Sequence, residues 1–258
     1  MKTRFVLLIL ATALLLISGC GEEKAVITDL SQLSGKTIAV PTGTMADELV
    51  LSVFPDVNFQ YYNSVLDCAL AVKQGQADAA AYDEPLLKNI AAKNPGMKVL
   101  PGLITEDDYG IAVALDNAQL KVVIDEVVNE LKANGTYDDM MERWLPAAGE
   151  PASMPELQLA GTNGILRLGT AAITEPFSFI DGSQAVVGLD IEIAAYVAKE
   201  LGMELEVVNM DFGGLIPALI SGKVDMIAAC ITISEERAKS VLFSEPYYRG
   251  GIAALVKE

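Results

Sequence analysis

The sequence predicts an α/β protein built as two similar lobes. Three observations carry that prediction. Short apolar runs alternate with helical patterns along the whole chain, the arrangement that lays helices over parallel sheets. A composition of 52% hydrophobic and 21% charged residues over 258 positions supplies a sizeable core and one or two compact units. One local unit also recurs: Ala69-Leu70 leads through Gly75 to Asp78 and a buried strand, and Ala218-Leu219 leads through Gly222 to Asp225 and another. Each is a helix stopped by a glycine in the left-handed conformation, followed by an acid that opens the next strand. Two similar lobes explain this recurrence most economically, and chance reuse of a common βα turn also explains it.

The chain begins with Lys2 and Arg4 ahead of an uncharged apolar run at 5–17. That is the pattern of a secretory signal, and the run is too short to cross a ~30 Å hydrocarbon core as a helix. Residues 1–19 are read as signal peptide and 20–28 as a tether. After it, 37–40 is a strand and 45–53 a helix, with Thr44 as its N-cap and Asp47 three residues on. Residues 59–62 form a second strand, 65–74 a helix closed by Gly75, and 77–82 a third strand. A helix at 85–93, a strand at 97–100 and an extended run at 109–115 follow. The longest helical pattern, 120–133, breaks at Asn134-Gly135 and gives way to a short helix ending at Trp144.

Residues 145–163 hold three of the eleven prolines, Pro146, Pro151 and Pro155, and lack periodicity, so 147–163 is a linker. Alternation then resumes with a strand at 165–169, a helix at 191–201 closed by Gly202 and a strand at 205–208. A helix at 215–220, a strand at 226–229, a short helix at 235–240 and a final strand at 251–256 complete the chain.

Composition removes several functions. With 35 acids against 18 bases the net charge is −17, which repels phosphate backbones and disfavours nucleic acid as a partner. The chain has no histidine, which excludes Ser-His-Asp triads and His zinc sites. Three cysteines without a CxxC pair do not make a zinc ribbon, an iron–sulfur site or a dithiol redox motif. Cys68 and Cys230 fall in different halves and read as small buried apolar residues rather than a disulfide. Gly35-Lys36-Thr37 lacks the upstream glycine and the preceding strand of a phosphate-binding loop. Glu106-Asp107-Asp108 reads as a solvated turn. No metal and no cofactor are expected.

The informative residues lie where strands end, since open α/β sheets bind ligands beyond the carboxyl ends of their strands. Thr42-Gly43-Thr44 follows the first strand and enters a helix, whose free N–H groups favour an anion. Asp83 follows the third strand, and its spacing fits a ligand residue and a helix N-cap before Pro85 equally. Thr232 follows the strand at 226–229, and Arg237 lies on the short helix beyond it, by position alone a surface residue. Phe177 and Phe212 read as core.

Longer phrases are more specific. They include Leu166-Arg167-Leu168-Gly169-Thr170, Glu175-Pro176-Phe177-Ser178-Phe179 and Val187-Gly188-Leu189-Asp190-Ile191-Glu192. Gly214-Leu215-Ile216-Pro217-Ala218-Leu219, Ile231-Thr232-Ile233-Ser234-Glu235-Glu236-Arg237 and Phe243-Ser244-Glu245-Pro246-Tyr247-Tyr248 continue them. Together they resemble the first lobe of the extracellular solute-binding proteins of family 3, the amino-acid receptors of ABC transporters. Residues 29–146 resemble the remainder of that family through Leu33-Ser34-Gly35-Lys36-Thr37-Ile38-Ala39-Val40, Ala77-Asp78-Ala79 with Asp83 and Pro85, and Tyr109-Gly110-Ile111-Ala112-Val113. The order is reversed, so the chain resembles a circularly permuted member of the two-lobe, type II periplasmic-binding-protein fold.

In that scheme 29–106 is the family's second lobe, 107–146 the return segment and 164–258 the first lobe. One crossover, at 104–110, stays intact, and the other is closed by pairing of 253–257 beside 25–29. A loosened hinge or lobe exchange between molecules would follow. Ile17-Ser18-Gly19-Cys20 likewise resembles the bacterial lipobox, which implies lipidation of Cys20 and an extracytoplasmic, membrane-anchored protein.

The resemblance implies a small-molecule, amino-acid-like ligand and a permease partner. It gives Arg237 the ligand carboxylate, with Thr232 and Thr44 as added donors, and Asp83 the ligand ammonium. Phe212 becomes an apolar wall. Three positions depart from the family: Ala171 replaces a frequent acid, Thr174 an aromatic lid, and Cys230 a glycine whose carbonyl faces the ligand. Glu175, beside the missing lid, points to a cationic ligand. A cyclohexadienyl-dehydratase-like enzyme and a sensory or partner-binding lipoprotein are the alternative functions on this fold.

Overall fold

Two five-stranded sheets flanked by helices frame the protein, whose computed structural model describes residues 26–146 and 153–258. The signal segment, Cys20 and the opening of the linker lie outside the described residues. The leading lobe contains β1 (Thr37–Pro41), α1 (Ala46–Val53), β2 (Asn58–Tyr62), α2 (Val65–Lys73), β3 (Ala79–Asp83), α3 (Glu84–Lys93) and β4 (Met97–Val99). The chain then crosses over through β5 (Asp107–Tyr109) and adds β6 (Ala112–Ala114), α4 (Ala118–Ala133) and α5 (Thr136–Trp144) to the trailing lobe. That lobe continues with β7 (Ile165–Thr170), β8 (Ile173–Thr174), β9 (Ser178–Ile180), β10 (Val186–Val187), α6 (Leu189–Leu201) and β11 (Glu204–Asn209). It is completed by α7 (Leu215–Ile220), β12 (Met226–Ile227) and β13 (Val241–Phe243), before β14 (Tyr248–Gly250) crosses back and β15 (Ile252–Lys257) ends the chain.

The sheets follow one plan, in the orders β2-β1-β3-β15-β4 and β11-β7-β12-β6-β13. In each, three parallel strands come from one stretch of chain and the fourth, antiparallel strand arrives from the other half. The recurring sequence unit performs the same task twice. Gly75 (φ 74°) and Gly222 (φ 71°) turn the chain in the left-handed region, where a side chain would be strained. Asp78 then accepts the Thr37 N–H at 2.9 Å and donates its own N–H to Thr37 at 2.8 Å. Asp225 accepts the Arg167 N–H at 2.8 Å and donates to Arg167 at 2.9 Å. Each acid therefore locks the register between two central parallel strands, and the strands run on to the site at their far ends.

The return segment is fastened by a buried polar knot. The Trp144 indole N–H donates to Glu192 at 2.6 Å, and Arg143 pairs with the same carboxylate at 2.7 Å, docking α5 on α6. Glu192 is almost fully buried, a position a carboxylate tolerates because charge and hydrogen bonds are satisfied together.

Four expectations change. The sheets are mixed rather than parallel, because each takes its fourth strand from across the hinge. The extended run at 109–115 is two strands separated by the bend that leaves the crossover. Ile252–Lys257 pairs with β3 and β4 in the leading lobe, so the trailing lobe does not extend to residue 258. Glu106-Asp107-Asp108 is no free turn: Asp107 and Asp108 lie in β5, and Glu106 pairs with Arg249 at 2.9 Å.

The hinge differs most. Strands β5 and β14 pair antiparallel, Tyr109 opposite Tyr248 and Asp107 opposite Gly250, and each leads after a short bend into the strand it feeds, β6 and β15. The chain runs unbroken from β14 into β15, the strand that joins the leading sheet. Two covalent connections thus remain, and the reason for a loosened hinge disappears. At their junction Gly251 packs so closely that a Cβ would stand 1.9 Å from the Thr105 carbonyl oxygen. Backbone oxygen cannot yield as a side chain can. Gly251→Ala is expected to cost about 2–4 kcal/mol, read as a lower urea midpoint.

Candidate ligand-binding cleft

The carboxyl ends of the two sheets face each other, and the candidate residues sit at those ends. Thr44 follows β1 and Asp83 ends β3 in the leading lobe. Cys230 and Thr232 follow β12, Phe212 precedes α7, and Arg237 begins a single 3₁₀ turn in the trailing lobe. Thr44, Asp83, Phe212, Cys230, Thr232 and Arg237 together line one space, along with Tyr82. Thr174 lies outside it, in an adjoining cavity that shares Thr44, Tyr82 and Phe212.

Thr232 is placed by the hinge. It forms a bridge with Tyr109, while Gly110 donates to the Ile231 carbonyl at 3.0 Å and Ile233 to Asp108 at 2.9 Å. The Thr232 carbonyl in turn accepts Arg237 Nη1 at 3.0 Å. The guanidinium carbon lies 5.5 Å from the centre of the Phe212 ring, within cation–π range. Phe212 is therefore half-buried against the arginine rather than core. Burial pulls the Arg237 pKa below its ordinary value, against the attraction of Tyr82, Asp83 and Glu48.

Asp83 is 4% exposed and makes no cap to α3. Its Oδ1 accepts the Tyr109 hydroxyl, a side chain the hinge strand carries. Burial pushes its carboxyl up to about 7, with the Tyr109 hydrogen bond and Arg237 acting in the opposite direction and Asp107 adding to the rise. A carboxyl so placed gains its charge when a cation comes to it. Asp190 mirrors this arrangement in the trailing lobe. Fully buried, it accepts the Tyr247 hydroxyl at 2.6 Å and the Cys230 N–H at 3.2 Å, and burial raises it to about 7.

Cys230 occupies the left-handed region at φ 51°. A cysteine there is strained where a glycine would be relaxed, and it lines the same space as Arg237. The Arg237–Asp83 space measures about 10 Å³, room for a single water and no more. As the lobes stand, that space is smaller than an amino acid. The lobes are held across the cleft by Lys93 of α3, which grips both oxygens of Glu175 at 2.8 and 2.9 Å.

Two details correct the sequence reading. Met45, not Thr44, occupies the N-cap of α1; the Thr44 hydroxyl donates to Pro41 at 2.9 Å and accepts the Ala46 N–H at 3.3 Å. Glu175 is already paired with Lys93, which removes the ground for assigning it a cationic ligand. Sequence reasoning passed over Tyr109, Tyr82 and Asp190. Tyr109 was legible only as the end of a crossover, and its aim at Asp83 depends on the β5–β14 pairing.

Two α/β lobes joined by two crossover strands, with their strand ends facing each other, define the two-lobe, type II periplasmic-binding-protein fold. Within the chain, residues 166–258 match the family model of the bacterial extracellular solute-binding proteins, family 3. The arginine-binding extracellular protein ArtP of Bacillus subtilis is 45% identical over 83 residues, covering 32% of this chain and 32% of ArtP. Membrane-bound lytic murein transglycosylase F of Vibrio cholerae is 42% identical over 100 residues, 38% of this chain and 18% of the enzyme. The arginine-bound form of truncated ArgBP from T. maritima is 44% identical, covering 34% of this chain and 42% of that one with a TM-score of 0.33. The chain thus spans about a third of the length of ArtP and less of the transglycosylase. Among the described residues no helix is long and apolar enough to cross a membrane.

Proposed function

We propose that the protein is a solute receptor, not an enzyme, that captures an amino acid and delivers it to an ABC transporter permease. It works outside the cytoplasm, tethered through a lipid on Cys20. One observation carries this reading: Arg237 and Asp83 line a single space from different lobes. A guanidinium fork accepts a carboxylate through parallel hydrogen bonds, and a buried carboxyl accepts an ammonium, so an α-amino acid satisfies both at once. Because the ligand touches both lobes only when they close, its binding energy favours the closed state.

The same reading treats the chain as a circular permutation. Both ends of the folded part lie on the leading lobe, where Leu30 packs at Gly102 and the Glu258 N–H donates to Gly96 at 3.0 Å. A permutation joined on that lobe leaves both hinge strands within the chain.

A thermal-shift screen of the common amino acids tests the function. A bound ligand raises the melting temperature by mass action, and at least one amino acid is expected to do so. No shift with any of them overturns the reading. Absorbance after incubation with prephenate or arogenate covers the dehydratase alternative: no turnover is expected.

A further inference from the structure

Beside the Arg237–Asp83 space lies a cavity of about 480 Å³, walled by both lobes. It opens past Thr44, Tyr82 and Phe212, the residues the two spaces share, so a ligand held by its α-carbon groups extends its side chain here. Most of the polar side chains around the cavity are committed to the protein itself. Thr42 donates to Tyr62 at 3.0 Å, and Thr44 to Pro41. Ser64 caps α2 and bonds Asp67 at 2.8 Å, while the Thr174 hydroxyl serves Ala171 and Ser178 at 3.2 and 3.3 Å.

Asp211 differs. Its carbonyl accepts the Gly214 N–H at 2.9 Å, but its side chain caps none of the 3₁₀ turn at Phe212–Gly214, and it is the one carboxylate among the lining residues. Asn63, from the opposite lobe, brings an amide to the same cavity, and Phe212 and Ile173 supply apolar wall. A chain of methylenes ending in a cationic donor group matches this lining. A carboxylate-bearing side chain would meet a like charge.

Resting on the receptor reading, we infer that Asp211 is the residue that selects the ligand side chain, and that the class it selects is cationic amino acids. Asp211 is exposed at the cavity wall, so its attraction is partly screened and its effect is a preference rather than an absolute requirement.

Calorimetry on the mature chain, with L-arginine and its uncharged isostere L-citrulline, tests the assignment. The unaltered protein is expected to bind arginine about tenfold more tightly than citrulline at low ionic strength, with the ratio shrinking as salt is added. In Asp211→Asn that ratio falls toward one, while an unchanged melting temperature shows that the variant is folded. Equal affinities in the unaltered protein, or a ratio Asp211→Asn leaves intact, overturn the inference and leave the receptor reading standing. If neither these ligands nor any other amino acid binds, the receptor reading falls and takes the inference with it.

Discussion

Replacing Arg237 by alanine is expected to weaken amino-acid binding by about 2–5 kcal/mol, roughly 30-fold to several thousand-fold in Kd. The size follows from where the arginine sits. It is held by the Thr232 carbonyl and the Phe212 face, away from bulk water, so a ligand carboxylate brought to it exchanges water for a charge-assisted fork. Without the guanidinium, that carboxylate is desolvated against Phe212, Cys230 and Tyr82 with no cation to meet it. Arg237→Lys restores charge without the fork and is expected to recover only part of the loss. Calorimetry with L-arginine measures both variants, and unchanged affinity in Arg237→Ala removes the residue from the site.

The second large effect is on pH. In the ligand-free protein Asp83 carries its proton up to about pH 7, because burial disfavours the carboxylate. The groups that face it are Tyr109 and Asp107 of β5, Arg237 and Cys230 of the trailing lobe, and Tyr82 of its own strand. A ligand ammonium at Asp83 lowers its pKa, so binding below pH 7 expels a proton. Affinity is then expected to fall by up to about tenfold per unit as pH drops below 7, and to level off above it. Asp83→Asn flattens the profile and weakens binding at pH 8. Titration in buffers of different ionisation enthalpy reads the released proton directly.

Stability of the ligand-free protein runs the other way. Asp83 and Asp190 both have folded pKa values near 7, above the 3.8 of an exposed aspartate. Between those values the unfolded chain sheds protons the folded chain retains. Stability from these two groups is full below about pH 4 and is lost as pH rises through 7. Ligand therefore stabilises most where the empty protein is weakest.

Much of this architecture is visible in the residues. The glycine–acid unit at 75–78 and 222–225 encodes the register of both sheets, because a left-handed turn and a carboxylate facing a backbone N–H are local devices. The strand end at Asp83 was equally legible, whereas the strand before Thr232 stops at Ile227, short of the expected 226–229. The hinge was not legible. Tyr248–Gly250 is three residues long, and its pairing with Asp107–Tyr109 depends on contacts nearly 140 residues apart in sequence, which no local pattern announces. The same long-range pairing turns Tyr109 onto Asp83 and brings Ile252–Lys257 back into the leading sheet. Asp211 escaped notice for a different reason. A lone acid ahead of a turn looks like a cap, and only the geometry shows that its side chain caps nothing.

A crystal structure of the mature protein with L-arginine tests the central claim most directly. The account predicts closed lobes, the ligand α-carboxylate forked on Arg237 and its α-ammonium on Asp83, with the Cys230 side chain displaced to admit it. Arginine bound elsewhere, with Arg237 still occupied by Thr232 and Asp83 still capped by Tyr109, would contradict it.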